Sequence, residues 1–183
     1  GVLSPVIAIG GTNDFSNYDV NLGYGISLRK QLSPDFGLEG NITRGKISGT
    51  NKDYPGGVGN GVREFETDIQ YAADLRGVVN VGTIDFLRRE NSVNFFVSAG
   101  YGLMAFNPKV TTAAGTITDF KGPYGDYLDN DYIKQDYNPV GAGIKFKVSD
   151  RVSFNLAYTM NFVDGDNFNG VYSATGSKDK FSY

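Results

Sequence analysis

Cysteine, histidine and tryptophan are all absent from the 183 residues, and methionine occurs twice. Without cysteine there is no disulfide scaffold, no Cys-ligated zinc and no thiol nucleophile. Without histidine the usual general base and the commonest transition-metal ligand are both missing, which excludes Ser-His-Asp chemistry. Hydrolases and acyltransferases with His-dependent sites are therefore poor matches, and a non-enzymatic protein without a cofactor is expected. No apolar run reaches the roughly 18 residues a transmembrane helix requires, and the first residues do not read as a signal peptide. Lys+Arg number 17 against Asp+Glu 20, scattered throughout, so no basic patch points to nucleic acid. Abundance lies elsewhere: Gly supplies 25 residues, and Tyr (12) with Phe (13) as many again.

These residues fall into a period of two, the signature of β-strands with one apolar and one polar face. In "NYDVNLGYGISLR" the even positions Tyr18, Val20, Leu22, Tyr24, Ile26 and Leu28 are apolar, and the odd ones include Asp19, Asn21 and Arg29. "FGLEGNITRGKIS" alternates from Phe36 to Ile42, opposite Glu39, Asn41 and Thr43. "EFETDIQYAADLRGVVNV" sets Phe65, Thr67, Ile69, Tyr71, Ala73 and Leu75 against Glu64, Glu66, Asp68, Gln70, Asp74 and Arg76. "SVNFFVSAGYGLMAF" alternates except at Phe96, Met104 and Phe106, and "YNPVGAGIKFKV" opposes Val140 to Val148 with Gly141, Gly143, Lys145 and Lys147. "RVSFNLAYTMNF" places Phe154, Leu156, Tyr158 and Met160 against Asn155, Ala157 and Thr159. With a weaker segment near Val2 to Gly10, seven strands are predicted. Their connections alternate short and long, as in an up-and-down antiparallel meander with short turns on one rim and long loops on the other.

Any single such strand fits a soluble sheet with its apolar side on a core. The polar sides taken together do not, because they mix both charge signs with glycines and other small residues, which a solvated surface does not need. A transmembrane β-barrel requires that mixture: apolar side chains meet lipid, and charges pair inside a narrow lumen. The lipid-facing set is then Tyr18, Val20, Leu22, Tyr24, Ile26, Leu28, Phe154, Leu156 and Tyr158. The lumen charge network is Asp19, Arg29, Glu39, Glu64, Glu66, Asp68, Asp74, Arg76, Lys145 and Lys147. An eight-stranded interior is just wide enough for side chains to fill, which favours a plug over a pore. Arg44 and Lys46 interrupt the apolar face and belong at the outer rim, near lipid headgroups.

Bacterial single-chain barrels have even strand numbers. The expected fold is thus an all-β, antiparallel, up-and-down eight-stranded transmembrane barrel occupying residues 1–183, its eighth strand beginning in "KDKFSY" and continuing past Tyr183.

The stretches "VNLGYGISLRKQLSPDFGLEGNITRGKISG", "FETDIQYAADLRGVVNVG" and "SVNFFVSAGYGLMAFNP" resemble the amino-terminal barrel of OmpA-family outer-membrane proteins of Bacteroidetes-type bacteria. The resemblance implies an outer-membrane location in a Gram-negative cell, with membrane lipid and lipopolysaccharide as surroundings. It also implies a following periplasmic domain that binds peptidoglycan. The expected role is a membrane anchor, structural component or docking subunit of a complex with other outer-membrane proteins. A narrow diffusion channel and a soluble lipocalin-like binding barrel are the alternatives.

Two acidic stretches could ligate a hard cation such as calcium: Asp126, Asp129 and Asp131 in "DYLDNDY", and Asp164, Asp166 and Asn167 in "DGDNFNG". Neither has EF-hand spacing, and a solvated acidic loop is the plainer reading. "GGVGNG" carries no Lys-Ser/Thr and opens no helix, so it does not cradle phosphate.

Overall fold

The computed structural model describes residues 2–8, 17–18, 21–50, 62–85, 92–112, 114–115, 117–119, 127–128, 132–147, 153–165, 168 and 179–182. Asp19, Val20, Asp126, Asp129, Asp131, Asp166 and Asn167 lie outside the described residues, as do the side chains of Tyr18 and Lys147.

The described chain is all β. In chain order the strands are β1 (Val2–Ala8), β2 (Asn17–Tyr18), β3 (Asn21–Gln31), β4 (Phe36–Thr50), β5 (Val62–Asp85), β6 (Ser92–Thr112), β7 (Ile117–Asp119), β8 (Tyr127–Leu128), β9 (Tyr132–Lys147), β10 (Ser153–Val163) and β11 (Lys180–Ser182). They form one sheet whose path runs β1-β3-β4-β5-β6-β9-β10-β11, every neighbour antiparallel. Seven strands of this path have seven or more residues, and they are the seven that the alternation predicts. The short strands β2, β7 and β8 pair with β4, β6 and β9. Among the described residues no pairing joins β1 to β10 or β11, so the sheet is not closed.

The connections β3–β4, β5–β6 and β9–β10 take 4, 6 and 5 residues. Those on the other rim take 12 (β1–β3), 11 (β4–β5), 19 (β6–β9) and 16 (β10–β11), with β2, β7 and β8 inside them. The β3–β4 turn is tied by its own polar groups: the Leu32 and Ser33 N–H groups both donate to the Phe36 carbonyl at 2.9 Å, and the Ser33 hydroxyl accepts from the Phe36 N–H at 3.1 Å. On the loop side β6 runs on to Thr112, six residues past the end of its alternating segment, and turns into β7 at Gly115, which takes the left-handed φ of 78° that glycine tolerates.

The sheet curls so that strands far apart in its order meet across one face. Arg76 on β5 donates to the Thr159 hydroxyl on β10 at 3.1 Å, across two intervening strands. Arg29 on β3 lies 4.7 Å over the Phe96 ring on β6, again across two intervening strands. Small residues permit the curl. A Cβ on Gly102 would fall 2.6 Å from the Tyr137 ring, and one on Gly143 2.5 Å from Phe96. Each aromatic lies on the inner face over the bare backbone of the next strand.

One irregularity decides which side chains look inward. The β5–β6 register shifts between Ile69 and Tyr71, with Gln70 as the extra residue of a β-bulge. A one-residue slip turns every later side chain to the opposite face. On the turn side of the bulge the buried positions of β5 are even (Ala72, Asp74, Arg76, Val78), and on the loop side they are odd (Phe65, Thr67, Ile69).

Candidate functional site

The inner face has two layers. Nearer the short turns it is polar, centred on Asp74 and Arg76, which stand at i and i+2 on one strand and so share a face. Arg76 grips the carboxylate with both ends of its fork: Nε donates to Oδ1 at 2.5 Å and Nη2 to Oδ2 at 2.7 Å. Asn41 Nδ2 adds a bond to Oδ1 at 2.9 Å and the Tyr137 hydroxyl one to Oδ2 at 2.7 Å. An ionised carboxylate offers about four lone-pair sites, and Asp74 has all of them occupied. This saturation makes burial of the pair tolerable, with Arg76 only 4% and Asp74 8% exposed. Beside it Arg29 Nε donates to Glu39 Oε2 at 2.7 Å while its guanidinium covers Phe96.

Toward the long loops the inner face becomes apolar. Ile47, Phe65, Ile69, Met104, Phe106, Val110, Ile133, Val163, Phe168 and Phe181 form a single buried cluster with Ala72 and Tyr137. Met104 and Phe106, which break the alternation of β6, are therefore inner-face residues of this layer, and Phe96 is the inner-face partner of Arg29.

The outer face is apolar and bare. Among the described residues 19 large hydrophobic side chains are exposed and 15 hydrophobic ones buried, the reverse of what a soluble core produces. Leu22 (78%), Ile26 (58%) and Leu156 (69%) are representative, and Tyr24, Leu28, Phe154 and Tyr158 of the expected lipid-facing set are exposed with them.

The expected charge network divides in consequence. Asp74 with Arg76, and Arg29 with Glu39, are brought together on the inner face. Lys145 lies in a cross-strand row with Asn94 and Asn155. Glu66 is not in that network and is corrected here: it is exposed on the outer face and accepts a 2.9 Å bond from Lys46 Nζ. Glu64 and Asp68 stand on the same side of the strand as Glu66, because the bulge at Gln70 reverses the parity that a straight strand would carry through. The buried set there is instead Phe65, Thr67 and Ile69. Thr159 lies on the inner face with the polar set of its strand, whereas Tyr137, Phe168 and Phe181 enter that face with no signal from the alternation; the breaks at Phe96, Met104 and Phe106 mark apolar residues on it.

Arg44 and Lys46 are exposed on the outer face, loop-side of the paired Ile26 and Ile42. The Glu66 carboxylate, through its hydrogen bond first and its charge second, raises the Lys46 pKa above the ordinary lysine value. A raised folded-state value means that the stabilisation is complete below the unfolded lysine pKa of about 10.4 and is lost as the pH rises through the folded value. Both side chains are about half exposed, so Lys46→Ala is expected to change the unfolding free energy by less than about 1 kcal/mol. Urea titrations at pH 7 check this, with no pH dependence from this pair between pH 5 and 9.

No known protein family matches the chain, nor does any curated protein. Among the described residues no group of three or more acidic side chains is placed to hold a metal ion.

Proposed function

We propose that this chain is a non-enzymatic β-barrel of a Gram-negative outer membrane. It serves as a membrane anchor, structural component or docking subunit, and an eighth strand that includes β11 completes it against β1. The observation that carries the reading is the bare apolar outer face wrapped around an inner face that holds the paired charges. In water such a face would associate; in hydrocarbon it is solvated by acyl chains.

Its height fits. On β6 the outward set runs from Val93 to Leu103, ten residues of rise. That is about 34 Å along the strand and, at the roughly 40° tilt of membrane-barrel strands, about 26 Å along the axis, close to the band of such proteins. Arg44 and Lys46 then stand at the headgroup level, where the phosphates of lipopolysaccharide or phospholipid suit them. The resemblance to OmpA-family barrels adds a role in anchoring to peptidoglycan through a separate domain, and contact with other outer-membrane proteins.

The reading is tested by fluorophores at single positions of the protein refolded into vesicles containing brominated lipid. A probe at Ile26 is expected to be quenched and one at Ser27 not; equal quenching, or a protein that stays soluble and monomeric without detergent, overturns it. The narrow-channel reading is opposed by the saturated Arg76–Asp74 layer, and planar-bilayer recordings are expected to show no steady current. A soluble lipocalin-like barrel would hold its cavity inside an apolar lumen. Here a concavity of about 730 Å³, lined by Phe36, Val79, Val97, Ala142 and Tyr158 among others, lies on the outer face.

A further inference from the structure

The concavity on the outer face has a direction and a charged end. Two cross-strand rows make it. In the first, Phe36, Val79, Val97, Ala142 and Tyr158 stand side by side on β4, β5, β6, β9 and β10; in the second, Gly77, Ala99, Val140 and Met160 continue from Leu38. Gly77, Ala99 and Ala142 keep its floor low. The Phe36 ring leans over Gly77, where a Cβ would lie 3.3 Å from it, and Tyr158 and Phe162 wall the opposite end. No lining residue carries a charge.

Five strands at about 4.8 Å spacing give a groove about 19 Å long, and rows two residues apart make it about 7 Å wide. The groove is also inclined. Phe36 follows directly on the β3–β4 turn, whereas β9 runs on past Ala142 to Lys147 before its own turn-side end. It therefore starts at the turn-side rim beside β3 and rises toward the middle of the band at β10. With strands tilted by roughly 40°, it climbs about 12 Å, half of a membrane barrel's apolar band of about 25 Å and thus the depth of one leaflet. The second row has one more member at its low end. Lys30 of β3 pairs with Leu38 and stands exposed on the outer face, next after Leu28. Among the described residues it forms no ion pair, with Asp35 of the adjoining turn or with any other acid.

Resting on the membrane reading of the outer face, we propose that this groove holds one phospholipid of the turn-side leaflet, its phosphate on Lys30 and one acyl chain along the floor. An uncharged channel one leaflet deep, with a lone cation at its rim end, complements the two parts of that ligand. A second copy of the chain does not suit it. A stable interface takes about 800 Å² from each partner, whereas the groove covers about 130 Å² and has the width of a chain, not of a barrel wall. A floor left without contact atoms forfeits dispersion energy, so a chain seated there exchanges less readily than the lipid around it.

The full chain, refolded into vesicles of equal parts phosphatidylglycerol and phosphatidylcholine, with lipopolysaccharide added in a second preparation, is extracted in mild detergent and weighed by native mass spectrometry. One retained phospholipid per chain is expected from both preparations, with phosphatidylglycerol favoured roughly fivefold, the scale of one exposed charge contact. Ala99→Leu/Ala142→Leu, which fills the floor, is expected to cut retention roughly tenfold, as two or more methylenes lose their seat. Lys30→Gln is expected to abolish the headgroup preference, and it carries the test if the filled variant fails to fold. Several results overturn the site: no phospholipid on the parent, equal retention by the filled variant, an unchanged preference in Lys30→Gln, lipopolysaccharide retained in its place, or a lipid-free dimer. A chain that shows quenching at Ile26 but not Ser27 and yet retains no phospholipid overturns the groove alone; equal quenching at the two positions removes the membrane reading and the groove with it.

Discussion

Replacing Ile26 with arginine is expected to weaken the folded state in vesicles by about 2–4 kcal/mol, the cost of a basic side chain near the middle of a membrane barrel's lipid face. Ile26 sits at the centre of β3, paired with Leu3 on one side and Ile42 on the other, and is 58% exposed. In a water-soluble protein an isoleucine that exposed could be exchanged for arginine at a cost within about 0.5 kcal/mol. The two solvents therefore predict different results for one substitution. Equilibrium urea unfolding of the vesicle-inserted protein reads the difference, and Ala114→Arg, in an exposed turn, serves as the neutral comparison. A stability for Ile26→Arg equal to that of the comparison would remove lipid from the outer face.

Arg76→Ala is expected to cost more, about 3–5 kcal/mol, because it leaves a carboxylate buried with its principal partner gone. Asp74 would keep the bonds from Asn41 and Tyr137, two of its four, which places the expected value toward the lower end of that range. The loss belongs to the stranded charge and not to the pair as such. Accordingly Asp74→Asn/Arg76→Met, which removes both charges and keeps volume, is expected to recover much of the stability. Thermal and urea unfolding of the two variants beside the parent decide the matter; a double variant as unstable as Arg76→Ala would show that the pair contributes directly. Thr159, which accepts from Arg76 Nη1, loses a charge-assisted bond in both variants.

The alternation was enough to find the seven longer strands, though not their lengths. The alternation of β5 covers residues 64 to 81 whereas the strand extends from Val62 to Asp85, and β6 passes its alternating segment to reach Thr112. Backbone pairing continues wherever a neighbour strand supplies donors and acceptors, whether or not side chains alternate. "NYDVNLGYGISLR" divides for a related reason: Asn17–Tyr18 pairs with the far end of β4, and the described pairing of β3 begins at Asn21. The candidate site was legible where the register is regular, at Arg29, Glu39, Asp74 and Arg76. It was not legible loop-side of Gln70.

By itself the sequence determined an all-β chain with strands of two unlike faces, tight turns on one rim and long connections on the other. It also excluded thiol and imidazole chemistry, since local period and composition carry that information without any partner strand. Only the tertiary structure decided that Glu66 faces outward with Lys46 while Phe65, Thr67 and Ile69 face inward. A bulge is a property of the hydrogen-bond register between strands, and one extra residue reverses every position beyond it. The same holds for Arg76 with Thr159 and for Thr67 with Phe168, which meet across 83 and 101 residues because the sheet curls. No periodicity within a strand encodes a contact made across the curl.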